Sequence, residues 1–188
     1  MSSTHNLSIA RPTRIAQWIR IYRLYYKAFP LSERKPFSMI LKMYRKGKTD
    51  VWYCEDNGTF AGLAITINGD DLILLDYFAV AEACRRTGIG SGLLQLLRRQ
   101  YAGKGLFGEI ESPYEETDDQ EIRQRRKQFY LRNGMTEMNV MVWLFGVKME
   151  LIGFDCRLTY EQYRRFYHDN YGSWAAQNIK EAEYPKEK

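Results

Sequence analysis

The stretch Leu72–Val80 is apolar almost throughout, and the glycine-bearing turn Arg85-Arg86-Thr87-Gly88-Ile89-Gly90 follows it closely. Beyond that turn, Ile89, Leu93, Leu96, Leu97 and Tyr101 recur at helical spacing. An unalternating apolar run suits a central strand covered on both faces, and the period then changes to that of an amphipathic helix. A chain built around such a unit layers helices on a sheet.

The flanking sequence extends that reading. Residues 14–29 carry Ile15, Trp18, Ile19, Tyr22, Tyr26 and Phe29 on one helical face and basic residues on the other, and Pro30 ends the helix. A second helix is predicted from near Pro36 to about Lys46, stopped by Gly47. Val51–Cys54 reads as a strand, Asp56-Asn57-Gly58 as a hairpin turn, and Phe60–Ile67 as the returning strand. Asn68–Asp71 turns the chain into the strand 72–80. After the helix come a strand at Leu106–Glu111, a helix from about Asp119 to Arg132 closed by Asn133-Gly134, two strands within Met135–Phe154 around Gly146, and a last helix over Thr159–Tyr171. The mostly charged segment Lys180–Lys188 is expected to fray. No linker or repeat interrupts the chain, so the expectation is one domain spanning 1–188 with a single mixed α/β sheet. Its parts are helices over 1–48, a sheet and helix over 51–111, and a second half over 119–172.

Composition excludes several classes. At 188 residues the chain can bury a core without staples. No apolar run approaches the roughly 20 residues a spanning helix needs, so no membrane partner is expected. Cys54, Cys84 and Cys156 share no metal-binding spacing and are odd in number, which points to a reducing, cytoplasmic setting. His5 and His168 stand far apart, so no metal site is expected. Residues 1–32 hold Arg11, Arg14, Arg20, Arg23 and Lys27 without one acid, and this accounts for the net charge of +5. An acid-free start also describes a presequence. The aromatic stripe, joined directly to a second helix, favours packing against a domain instead.

At the start of a helix several N–H groups lack internal partners, and the aligned peptide dipoles leave partial positive charge there. Glycine lets an anion approach those groups closely. The turn at Gly88 and Gly90 therefore predicts a phosphate or pyrophosphate ligand, with Arg85 and Arg86 adding charge to the rim. Two familiar fingerprints fail. Leu93 stands where a dinucleotide motif needs its third glycine, and the lysine of a P-loop is missing.

Leu75–Val80 followed by Arg85-x-x-Gly88-x-Gly90 and Leu93-Leu94 resembles motif A of the GNAT acyltransferase superfamily. Gln128-Phe129-Tyr130-Leu131-Arg132-Asn133-Gly134-Met135 resembles that family's later motif, a helix ending F-Y-x-x-x-G-F, with Met135 in place of its Phe. The two occur in the family's order, with one strand between them. The resemblance implies a central, mostly antiparallel sheet flanked by helices and splayed at strands 72–80 and 106–111. It implies acetyl-CoA as cosubstrate. Phe78, Ala79 and Val80 would offer backbone groups to the pantetheine arm, and Arg86, Thr87, Gly88, Ile89, Gly90 and Ser91 would hold the pyrophosphate. Tyr130 would stand near the thioester sulfur and protonate the departing thiolate. The first two helices would wall the acceptor site, with Phe29-Pro30 through Phe37 shaping the pocket. Family members often pair through terminal strands, so a homodimer is allowed.

Acetyl transfer to an amine needs a neutral nitrogen attacking a polarised carbonyl, and a route for its proton. Asp76 shares a strand face with Phe78 and Val80, and Glu109 and Glu111 share a face of the next strand. Any of the three can relay that proton, directly or through water, and Glu111 ranks first because it comes nearest the following turn. Taken singly, each of these carboxylates at a strand end is more simply read as a solvated charge. Between Gly108 and Ile122 lie Glu109, Glu111, Glu115, Glu116, Asp118, Asp119 and Glu121, with no base among them. Acids at a helix start cap it and suit its dipole. The rest suggests attraction of a cationic amine, on a small molecule or a peptide. Two rival readings remain: a GNAT-fold acyl-CoA sensor without catalysis, and a basic nucleic-acid-binding domain. The tyrosine at the motif position weighs against the first, and the lack of any nucleic-acid reading motif weighs against the second.

Overall fold

Hydrophobic periodicity and turn residues place most element boundaries within one or two residues. The computed structural model describes residues 5–31 and 33–184. In chain order the elements are β1 (Leu7–Ala10), α1 (Ile15–Ala28), α2 (Phe37–Arg45), β2 (Thr49–Asp56), β3 (Thr59–Asn68), β4 (Leu72–Val80), α3 (Ile89–Gln100), β5 (Gly105–Glu111), α4 (Gln120–Arg132), β6 (Thr136–Leu144), β7 (Val147–Phe154), α5 (Tyr160–Tyr171), α6 (Ser173–Gln177) and β8 (Ile179–Ala182). A single 3-10 turn, Glu82–Cys84, follows β4. The strands hydrogen-bond in the order β1-β2-β3-β4-β5-β7-β6-β8, giving a mixed α/β architecture with helices flanking an eight-stranded sheet.

The chain forms two compact units. The first comprises the residues up to Asn68 together with Leu75–Tyr101. Asn57 and Gly58 both have positive φ, the geometry of a tight hairpin turn, and this sets the antiparallel register of β2 and β3 (Asp56↔Thr59, Val51↔Ile65). Ile21, Leu24 and Tyr25 of α1 and Phe37 and Ile40 of α2 are buried with Val51, Tyr53, Leu63, Ile65, Tyr77 and Ala79 of the strands. Trp52 has the opposite parity to Val51 and Tyr53, and its indole donates to the Tyr101 hydroxyl at the end of α3 (2.9 Å). That hydroxyl donates to the buried Asp50 carboxylate, which also takes Arg11 and Asn68. A polar knot thus ties down the C-terminal end of α3. Its apolar stripe, Ile89, Leu93, Leu94 and Leu97, is buried. Near its start a side chain at Gly92 would meet Leu7 Cδ1 of β1 at 2.2 Å and force that side chain to turn aside.

The second unit comprises Gly69–Leu74 and the residues from Ala102 onward. Here β5 pairs antiparallel with β7 (Leu106↔Phe154, Glu111↔Met149), β7 with β6, and β6 with β8. Phe107 of β5 meets Tyr163 and Phe166 of α5 edge-on. The β6–β7 hairpin turns at Phe145 and Gly146, both at positive φ. The cost of a bulky residue there is offset by stacking on Trp174, 5.4 Å away.

β1, α6 and β8 are not anticipated by the sequence reading, and α1 buries another face than expected: Ile15, Ile19, Tyr22 and Tyr26 of its aromatic stripe are exposed, while Ile21, Leu24 and Tyr25 are buried. The segment beginning at Lys180, expected to fray, is ordered as far as it is described. Lys180, Glu181 and Ala182 pair with Trp143, Val142 and Met141, and the Tyr184 hydroxyl donates to the Glu150 carboxylate. Four residues with one apolar anchor carry no strand signal of their own; the open edge of β6 supplies the partner. Residues 185–188 lie outside the described residues. No helix of the described residues is long and apolar enough to cross a membrane.

Candidate active site

Within the first unit, β4 ends at Val80 and the chain reaches Gly88 through the 3-10 turn and Arg85–Thr87. Tyr77 and Ala79 face the core, while Asp76, Phe78 and Val80 point to the other face, half-buried. Side-chain space is tightest opposite Ala79: a Cβ on Gly62 of β3 would sit 2.5 Å from the Ala79 carbonyl oxygen. Arg85 donates from Nε to the Val80 carbonyl (3.2 Å), so it braces the turn. Thr87 Oγ1 donates to the Cys84 carbonyl (2.8 Å). Arg86 adopts φ +65° and Gly88 φ +87°. Left-handed backbone at both positions aims the chain into α3, and the arginine side chain makes no hydrogen bond or ion pair among the described residues.

Gly88 is the N-cap of α3, with no capping side chain and no acid in the first turn. The first backbone bond of the helix is Gly92 N–H to Gly88 C=O (3.1 Å). The amides of Ile89, Gly90 and Ser91 therefore find no acceptor among the described residues. Three orphan donors and the dipole meet at one helix start, with the uncommitted Arg86 two residues before its N-cap, as an anion site requires. Helix α5 shows the contrast: Thr159 caps it by accepting from Gln162, and Glu161 sits in its first turn.

The turn is held from the side by a residue that sequence reading passed over. The Nδ1 of His5 lies 2.8 Å from Asp56 Oδ2 and its Nε2 lies 3.0 Å from the Thr87 carbonyl oxygen. The bond to Asp56 raises the imidazole pKa above its ordinary value, against a smaller effect of burial.

Asp76 is engaged: both its oxygens lie 2.7 Å from Lys35 Nζ, and its side chain is nearly buried. Lys35 belongs to the α1–α2 connection, which Tyr77 also pins by donating to the Glu33 carbonyl and accepting from the Lys35 amide. The Tyr25 hydroxyl donates to the Lys35 carbonyl, and burial pushes that phenol up to about 12. Glu33 and Lys35 are thus fixed to β4. On the outer side of α1 and α2 a groove of about 650 Å³ is lined mainly by Trp18, Tyr22, Tyr26, Phe37 and Leu41.

The remaining candidates, Glu111 and Tyr130, belong to the second unit. Glu111 is held by Arg123 and Arg126 of α4, each 3.3 Å from one carboxylate oxygen. Tyr130, near the end of α4, is half-buried and stacks edge-on with Phe129 (5.1 Å). Burial pushes its phenol up to about 12, against the lowering effect of Arg126, so the group is protonated at neutral pH. Its hydroxyl makes no hydrogen bond among the described residues, which leaves the proton available for donation.

The acidic segment is less bare than its sequence. Tyr163 and Tyr167 donate to Glu109. Glu115 pairs with Lys148, and Asp119 with Arg123. Including Glu111, four of the seven acids are engaged; Glu116, Asp118 and Glu121 are exposed and have no ion-pair partner among the described residues.

Residues 47–137 match the model of the acetyltransferase (GNAT) domain. Over these residues the chain is similar to GNAT acetyltransferase domains. That segment runs from the start of β2 to the start of β6 and includes both motifs. The enzyme class it brings is acyl transfer. No curated protein compared with the chain matches it. Among solved structures, a GNAT-family protein from Bacteroides thetaiotaomicron superposes with a TM-score of 0.72 at 21% identity, covering 89% of this chain and 99% of that one. The spermidine N-acetyltransferase of Vibrio cholerae, solved with CoA and spermine, gives 0.59 at 12% identity, covering 79% and 94%. A ribosomal-protein alanine N-acetyltransferase from Escherichia coli gives 0.55 at 17%, covering 81% and 96%. At these identities the likeness establishes the shared GNAT fold.

Proposed function

We propose that the chain transfers the acetyl group of acetyl-CoA to a primary amine, by direct attack within a ternary complex. The observation that carries the reading is the start of α3. Its amides at Ile89, Gly90 and Ser91 lack acceptors, its first turn carries no acid, and Arg86 beside it is uncommitted. Those donors suit a pyrophosphate. In this reading Arg85 braces the turn, Thr87 and Gly88 shape it, and the backbone of Phe78, Ala79 and Val80 receives the pantetheine arm. Tyr130 protonates the departing thiolate; a phenol with a pKa of about 12 and no competing bond suits that task. Asp76 and Glu111, each engaged by cations, are alternative acceptors of the amine proton, directly or through water.

The acceptor is proposed to be cationic. Its attraction falls to Glu116, Asp118 and Glu121, since the other acids of that segment already have partners. The spermidine enzyme among the structural neighbours was solved with a polyamine, and the ribosomal-protein enzyme shows that the same fold also serves protein substrates. A polyamine is the first compound to try. The three cysteines carry no disulfide, which supports a cytoplasmic setting.

The test is thiol release from acetyl-CoA across a panel of amines that includes spermidine, spermine and lysine-bearing and N-terminal peptides. Release with at least one amine is expected, with turnover about 10–100-fold lower in Tyr130→Phe while acetyl-CoA affinity is kept. Binding of acetyl-CoA without release for any amine would favour the sensor reading. Glu116→Gln with Asp118→Asn should raise the acceptor KM, more at low salt; an unchanged KM would return these acids to solvation alone.

A further inference from the structure

We infer that His5 is a positioning residue for the pyrophosphate-binding turn, and that its imidazolium, bridging Asp56 and the Thr87 carbonyl, makes coenzyme affinity depend on pH. The inference rests on the coenzyme site proposed above. It concerns a residue outside the 47–137 match.

Both ring nitrogens of His5 face acceptors. Nδ1 is 2.8 Å from a carboxylate oxygen of Asp56 and Nε2 is 3.0 Å from the Thr87 carbonyl oxygen. A neutral imidazole has one N–H and one lone pair. With the proton on Nδ1, the Nε2 lone pair faces the carbonyl oxygen; with it on Nε2, the Nδ1 lone pair faces the carboxylate. Either tautomer sets two acceptors against each other at hydrogen-bond distance. Only the doubly protonated ring donates to both.

The surroundings favour that form. Asp56 is itself fixed, its Oδ1 accepting from the Asn6 amide and from Asn57 Nδ2 (both 3.1 Å). Of the charged groups near the ring, Asp56 at the end of β2 bonds it; Glu55 precedes Asp56, Arg85 and Arg86 flank Thr87 in the turn, and the first turn of α3 carries no acid. The histidine side chain is one quarter exposed, so it exchanges protons with solvent. Its pKa is raised chiefly by the Asp56 bond.

Thr87 is the last residue before Gly88, whose left-handed φ sets the direction of the orphan amides. Holding the Thr87 carbonyl therefore holds the cradle, and the bridging cation adds positive charge beside the anion. The sign follows. A raised pKa means the bridge is complete at low pH and is lost as pH rises through that value, which lies above roughly 6.5. Coenzyme affinity should fall through the same transition.

The experiment is calorimetric titration of the full chain with coenzyme A from pH 5.5 to 9, for the natural sequence, His5→Gln and Asp56→Asn, with melting curves confirming that each is folded. Ionisation of the phosphate monoester of coenzyme A, near pH 6, is common to all three proteins and cancels in their comparison. The natural chain should lose about fivefold in affinity across a one-proton transition, the size of one ordinary hydrogen bond net of solvation. His5→Gln should lack that transition, and Asp56→Asn should move it to lower pH. Identical pH profiles for the natural chain and His5→Gln would overturn the role of His5 while leaving the coenzyme site intact. Absence of coenzyme A binding at every pH would instead overturn the coenzyme reading itself, and the role of His5 with it.

Discussion

Helix α3 is held in its unit by Ile89, Leu93, Leu94 and Leu97, whereas the one buried residue of α4 is Lys127. The ammonium of Lys127 donates to both oxygens of the fully buried Glu150 (2.9 Å each) and to the Tyr114 hydroxyl (3.0 Å), and it pairs with Glu137. Tyr184 closes the cluster by donating to Glu150. Burial would lower the pKa of the lysine, but its bonds to Glu137, Tyr114 and Glu150 outweigh that and raise it. The two helices present different things. Helix α3 offers backbone amides, which any well-buried helix start can offer. Helix α4 offers one side chain, Tyr130, whose aim depends on rotation about the helix axis. Apolar burial is non-directional, while a lysine bonded by three side chains fixes one rotation. A buried ion pair is weak evidence for stability and better suited to specifying geometry, and that is the hypothesis for α4.

Five measurements break or sharpen this contrast. Lys127→Met leaves Glu150 charged and unpaired, and chemical denaturation should register a loss of about 3–5 kcal/mol. Adding Glu150→Leu should return most of it, because two apolar residues replace two desolvated ions; if the double variant is as unstable as the single one, the cluster is not the anchor described. On α3, Leu97→Ala should cost about 2–4 kcal/mol by the same assay, without any second substitution that restores it. Gly88→Ala meets open space but a φ of +87°, so its cost is conformational, about 1 kcal/mol, and its larger effect should be weaker coenzyme A binding. Tyr130→Phe should leave stability in chemical denaturation unchanged within about 0.5 kcal/mol, since no bond is lost. In the natural chain its phenol, displaced upward to about 12, should show in ultraviolet titration as a tyrosine that stays protonated well past pH 10. Folding favours that protonated form, so its contribution to stability is present below pH 10 and disappears as pH rises through about 12; titration at the ordinary value would remove the protected acid.

The same contrast explains which parts could be read in advance. The stripe of α3 and its glycine turn are local patterns, and the structure follows them. The boundaries of α4 were legible from Asn133-Gly134, but its anchorage was not: a lysine on a strongly polar helix looks solvated, and Glu137, Glu150 and Tyr184 lie on other elements. The acidic segment misled for a similar reason, because Arg123, Arg126 and Lys148 reach it from α4 and β7. His5 carried no signal at all, since its partners Asp56 and Thr87 are adjacent only once β1 pairs with β2.

The bond from Tyr184 to Glu150 has a consequence for how the chain is made. On the ribosome Lys127 and Glu150 emerge before the phenol that completes their cluster, and β6 waits with an open edge until Ile179–Ala182 arrives. The second unit therefore reaches its native bonding only when the last strand is synthesised, whereas every residue that builds the glycine turn is already out by Tyr101. Nascent chains stalled at increasing lengths should acquire protease resistance in that order, the glycine turn first and the tyrosine-bearing helix last.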